Sequence, residues 1–105
     1  MTLQTSPATD FGLSARTLGL LRSVLARHTP IERAIVYGSR AKGNFRPGSD
    51  IDLTLDAPQL TLNDLLRIDS ELDELMLPYT IDLSLLQHID NPALLSHIAR
   101  VGRLL

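Results

Sequence analysis

The sequence predicts an α/β domain with a small mixed β-sheet of three or more strands flanked by helices. Three observations carry that expectation. Apolar residues recur at helical spacing in two stretches: Leu18, Leu21, Val24 and Leu25, then Leu62, Leu65, Leu66, Leu72 and Leu75. The runs DIDLTL at 50–55 and TIDLSLL at 80–86 alternate polar and apolar residues with the period of a strand. Helical and strand patterns also take turns along the chain, which is the order of α/β domains.

The elements follow one by one. Residues 1–12 are polar, with Pro7 and Gly12, and are expected to be a flexible lead-in to a single domain over residues 13–105. A first helix over 13–28 ends at Thr29-Pro30, because the residue before a proline is pushed out of the helical region. Residues 31–37 form a short strand with Ile35, Val36 and Tyr37 at its apolar end, followed by a short helical turn. A second strand over 50–55 is closed by Asp56-Ala57-Pro58. Thr61 and Asp64 have capping-box spacing, and Leu60 and Leu65 are placed as a hydrophobic staple, so a second long helix starts there and ends before Pro78. Residues 80–85 make a third strand. Asn91, with Pro92 at the first helical position, opens a last helix that runs to about Arg100 and stops near Gly102.

Composition narrows the function. A chain of 105 residues holds one core, and a net charge of −2 provides no general basic field for nucleic acid. The absence of cysteine excludes a disulfide framework, a zinc ribbon and a thiol nucleophile. No basic segment followed by an apolar core opens the chain, and no apolar run approaches the ~20 residues of a membrane span. A cytoplasmic location is the expectation.

The acids are the informative residues. Strand alternation puts Asp50, Asp52 and Thr54 on one face and Ile51, Leu53 and Leu55 on the other. Thr80, Asp82 and Ser84 share a face in the third strand in the same way. Strands disfavour aspartate, so three in two strands call for a purpose. The first two strands meet antiparallel if Gly38-Ser39 and Asp50 lie at the same end, and a crossover helix makes the third a parallel neighbour of the second. Asp82 then lies beside Asp50 and Asp52. Carboxylates so placed repel one another unless a cation joins them, and oxygen-only ligation suits Mg²⁺. Two such ions can serve phosphoryl or nucleotidyl transfer.

Gly38 allows close approach of a phosphate, and Ser39 adds a hydroxyl donor. Arg40, Lys42 and Arg46 follow, readable as phosphate contacts or as a solvated loop. The stretch is not a Walker A loop, since Asn44-Phe45 stands where Lys-Ser or Lys-Thr is required. Nor do the glycines at 38, 43 and 48 make a dinucleotide fingerprint. His28, His88 and His97 are isolated in sequence and are read as surface or packing residues. Tyr37 and Phe45 are read as packing around the loop, and Leu94 and Leu95 as core or partner surface.

Gly38-Ser39, ten further residues and then Asp50-Ile51-Asp52 resemble the signature of the DNA polymerase β-type nucleotidyltransferases. Asp82 stands where that family carries its third carboxylate. GSRAKG followed by SDIDL is similar to the minimal nucleotidyltransferase (MNT) subgroup, commonly paired with a HEPN-domain partner in toxin–antitoxin modules. The likeness spans residues 13–100. It implies a polymerase β-like fold, with Gly38 and Ser39 on the β- and γ-phosphates of ATP and Arg40, Lys42 and Ser49 beside them. It implies Asp50 and Asp52 as ligands of two Mg²⁺ ions, completed by Asp82. The implied reaction is transfer of AMP to a tyrosine of a HEPN toxin, within a hetero-oligomer. The alternatives are an antitoxin that acts by binding and occlusion alone, and an adenylyltransferase of small molecules such as aminoglycosides.

Overall fold

The computed structural model describes residues 10–105. Its elements are helix α1 (Ala15–Ala26), strand β1 (Arg33–Tyr37), helix α2 (Gly38–Lys42), strand β2 (Ile51–Asp56), helix α3 (Leu62–Asp73), strand β3 (Ile81–Leu85), helix α4 (Pro92–Val101) and strand β4 (Arg103–Leu104). Short 3₁₀ turns lie at Asp10–Gly12 and Leu86–His88. The order is the one expected, with β4 added at the end.

The strands form one sheet in the order β3-β2-β1-β4. β1 runs antiparallel to β2, and β3 runs parallel to β2, as the crossover through α3 requires. β4 pairs with Ile35 and Val36 on the other side of β1. It is two residues long, too short for any alternation to announce it. This is the predicted mixed α/β sheet, four-stranded and flanked by helices.

The two faces of the sheet do different work. Val36, Ile51, Leu53, Leu55 and Leu85 project to one side and meet Leu18, Leu21, Val24 and Leu25 of α1 and Ile68 and Leu72 of α3. Burying one such side chain completely contributes roughly 1.5–3 kcal/mol, so this face supplies most of the stability. On the opposite face Ile35 and Tyr37 pack with Ile98 of α4 in a smaller cluster. The rest of that face is polar and is where the site lies.

Local signals set the helix ends. The Ser14 hydroxyl accepts from the Thr17 amide at 3.1 Å and starts α1. The Thr61 amide donates to Asp64 Oδ2 at 2.8 Å and the Asp64 amide to Thr61 Oγ1 at 3.3 Å, completing the expected capping box. The Thr61 amide first, and then the Thr61 hydroxyl, which donates to Asp64 Oδ2 at 3.0 Å, hold the Asp64 carboxyl below its ordinary value. In α3 the inward stripe is Leu65, Ile68 and Leu72, continued past its end by Leu75, whereas Leu62 and Leu66 are exposed on a face shared with Asp69 and Asp73.

The lead-in expected over residues 1–12 falls mostly on residues 1–9, outside the described part. Its last residues are packed: Phe11 is buried in the main core, in the turn before α1. No helix among the described residues is long and apolar enough to cross a membrane.

Candidate active site

Register across three strands builds the site. Tyr37 of β1 lies opposite Asp52 of β2, and Asp52 lies opposite Asp82 of β3. The next row inward is Ile35, Thr54 and Ser84. There the Ser84 hydroxyl donates to Thr54 Oγ1 at 2.9 Å, which satisfies a fully buried threonine. Asp52 and Asp82 are therefore neighbours on the polar face, as the alternation predicted. Asp50 stands one residue before β2, exposed at its entry.

Electrostatics reflect that crowding. The Asp52 carboxyl is pushed up from its ordinary value, first by burial and then by the negative charges of Asp82 and Asp50, with His97 pulling the other way. Tyr37 is also pushed up, first by burial; a hydrogen bond with Ser84 opposes this, and Asp82 and Asp52 add to it. Tyr37 is more than loop packing: its phenol belongs to the acid row. Among the described residues, no group of three or more His, Cys, Asp or Glu side chains is close enough to hold a metal ion unaided. The structure thus brings Asp52 and Asp82 together and leaves Asp50 at the rim.

The Gly-Ser turn closes on the acids. Gly38 adopts φ +71°, the left-handed region, and a Cβ there would overlap Asp52 Oδ2. Only glycine lets the chain leave β1, start α2 and touch Asp52 in one step. Ser39 follows in the first turn, and Gly43, at φ +90°, ends the helix with its amide on the Ser39 carbonyl at 2.9 Å.

Two residues expected to contact the nucleotide are placed otherwise. Arg40 is only 1% exposed and turned away into the fold. Its guanidinium donates to the carbonyls of Phe11 at 2.9 Å, Ser49 at 3.0 Å and Pro47 at 3.1 Å, between the rings of Phe45 and Tyr79. A guanidinium so occupied staples the 44–49 loop to the turn before α1, and it has no access to a phosphate. The Ser49 hydroxyl accepts the Arg46 amide at 2.8 Å and closes a turn of that same loop. Lys42 and Arg46 are exposed and, among the described residues, form no ion pair.

His97 was missed. It comes from α4, 59 residues further along the chain, and its Nε2 accepts the Gly38 amide at 3.0 Å. Its ring meets Tyr37 edge-on, at 6.2 Å between centroids and 80° between planes. The available signal was its position beside Leu94, Ile98 and Val101 on the inward stripe of α4, where a polar ring needs a partner.

The polar face thus carries a cross-strand acid pair with a glycine turn pressed against it from the end of the neighbouring strand. The chain belongs to the family described as Polymerase beta, Nucleotidyltransferase, whose model matches residues 20–105. Its fold is similar to that of a toxin–antitoxin structure with AMP-PNP, at 20% identity and a TM-score of 0.64, covering 88% of this chain and 72% of that one. Two mutant forms of the toxin–antitoxin MntA-HpeT are also similar, both with TM-score 0.62. One is 18% identical over 86% of this chain and 69% of that one, the other 22% over 87% and 69%. No curated protein matches the sequence.

Proposed function

We propose that this chain is an antitoxin acting in the cytoplasm as a protein adenylyltransferase, moving AMP from ATP to a tyrosine of a partner HEPN toxin. The observation that carries the reading is the Asp52–Asp82 pair in contact register with Gly38 beside it. Family membership supports nucleotidyl transfer, and the fold shared with toxin–antitoxin structures supports the partner class.

The family implies magnesium, and the donor chemistry fits. Asp50, Asp52 and Asp82 offer carboxylate oxygens only; burial and then the charges of Asp82 and Asp50 push Asp52 towards its neutral form, and a hard cation offsets both. Two magnesium ions held by these acids and by phosphate oxygens would neutralise charge on the triphosphate. Gly38 and Ser39 would face the β- and γ-phosphates, with Lys42 and Arg46 beside the triphosphate. Asp82 would take the proton of the acceptor tyrosine. The tyrosyl oxygen bonds to the α-phosphorus, the bond from that phosphorus to the β-bridging oxygen breaks, and pyrophosphate leaves.

The test is intact-mass spectrometry of a HEPN toxin incubated with this chain, ATP and Mg²⁺. Gain of one AMP on a toxin tyrosine supports the reading, and unmodified toxin that is nonetheless bound and inhibited contradicts it. One feature favours that occlusion reading: an apolar groove of about 470 Å³ beside α4, whose lining includes Ile35, Leu86, Leu95, Ile98 and Leu104.

A further inference from the structure

α2 begins without a cap of its own. Tyr37 stands at its N-cap position and makes no side-chain hydrogen bond there, so the first amide of the helix has no local acceptor. The acceptor comes from a different helix, through the 3.0 Å bond from the Gly38 amide to His97 Nε2. Gly38 is thereby held between two groups, His97 on its amide side and Asp52 Oδ2 where a Cβ would lie. In that bond the amide is the donor and Nε2 the acceptor.

We propose that His97 is a positioning residue that fixes the Gly38-Ser39 turn against Asp52 and so sets the gap into which a nucleoside triphosphate must fit. The proposal rests on the nucleotidyltransferase reading of the site. Ser39 follows Gly38 directly, so a displaced Gly38 carries the Ser39 hydroxyl with it. The edge-on contact with Tyr37 aligns the ring, and Tyr37 in turn lies across from Asp52. The Gly38 amide is already engaged by His97, which leaves the Ser39 hydroxyl to serve as a donor for phosphate.

Two substitutions separate packing from hydrogen bonding. His97→Phe keeps a ring against Tyr37 and removes the acceptor, whereas His97→Gln places an amide oxygen near the position of Nε2. The probe is AMP-PNP with Mg²⁺, titrated calorimetrically into the full chain, alongside amide hydrogen exchange at Gly38. His97→Phe should weaken AMP-PNP binding about tenfold, the scale of one net hydrogen bond, and expose the Gly38 amide to exchange. His97→Gln should restore most of both. In transfer assays the same loss should appear in KM for ATP, with kcat within about twofold, because the turn holds ground and transition states alike. If the wild type binds AMP-PNP and both variants bind equally well, the proposal is overturned while the site reading stands. A wild type that binds no AMP-PNP overturns both. Equal losses in both variants would make His97 a packing residue and contradict the proposal.

Discussion

Replacing Asp52 by asparagine should stabilise the metal-free protein and end its response to magnesium. Asp52 is half-buried, lies directly across from Asp82, and has Asp50 two residues before it. Burial, then Asp82, then Asp50 push its carboxyl up from the ordinary 3.8. The folded chain therefore holds that proton more tightly than the unfolded chain does. Its stabilising contribution is complete below the unfolded value and is lost as pH rises through the raised folded value. At neutral pH the metal-free fold carries the whole penalty. Asparagine removes the charge at nearly constant shape. A like-charged pair directly across two strands costs about 0.5–1 kcal/mol, the lower end applying where solvent screens it. For a domain of this size that is a rise in Tm of about 2–8 °C. The assay is thermal unfolding in EDTA and in excess Mg²⁺ with AMP-PNP, at neutral and mildly acidic pH. Wild type should gain with Mg²⁺ and AMP-PNP together, by about 2.7 kcal/mol at a hundredfold excess over Kd, and the variant should not. The advantage of the variant in EDTA should shrink as pH falls. A variant less stable than wild type in EDTA at neutral pH, or one still stabilised by Mg²⁺ with AMP-PNP, would refute the reasoning.

Other positions give independent checks. Gly38→Ala places a methyl on Asp52 Oδ2 at a positive φ and should cost about 1–3 kcal/mol, read by denaturant unfolding, with loss of transfer. Arg40→Lys should destabilise by about 3 kcal/mol, because one ammonium cannot serve three carbonyls and two rings. Limited proteolysis should then cut the 44–49 loop; an Arg40→Lys protein of wild-type stability with weakened nucleotide binding would return Arg40 to the phosphates. Thr61→Ala removes one half of the capping box and should cost about 1 kcal/mol in chemical denaturation. The depressed Asp64 carboxyl contributes stability that is present above its unfolded value and lost as pH falls through the folded one. Thr61→Ala keeps the amide bond and removes the hydroxyl bond to that carboxylate, so only this hydroxyl's share of the penalty should fade in acid.

What the sequence made legible was periodic or spaced. The alternation of DIDLTL and TIDLSLL fixes Asp52 and Asp82 on one face, because a period of two leaves no choice, and the crossover helix between the strands makes them neighbours. Thr61 and Asp64 likewise announced α3, since a capping box is local chemistry. Contacts between residues far apart in the chain were not legible. Arg40 looked like its neighbours Lys42 and Arg46, and only the folding of the 44–49 loop over it, with Phe45 and Tyr79 on its faces, turned it inward. His97 depended on where α4 crosses the polar face of the sheet, which no spacing records. Asp50 shares a strand parity with Asp52, yet β2 begins only at Ile51, and the acid stands at the rim.

The central claim is attack at the α-phosphorus by way of the Asp52–Asp82 site. The most direct measurement incubates this chain and a HEPN toxin with Mg²⁺ and ATP labelled at either the α- or the γ-phosphate, with an Asp50→Asn/Asp52→Asn double variant alongside. The expected result is α-label on the toxin, γ-label in pyrophosphate, and neither with the double variant. Label on the toxin from γ-ATP, or α-label transfer that survives the double substitution, would contradict it.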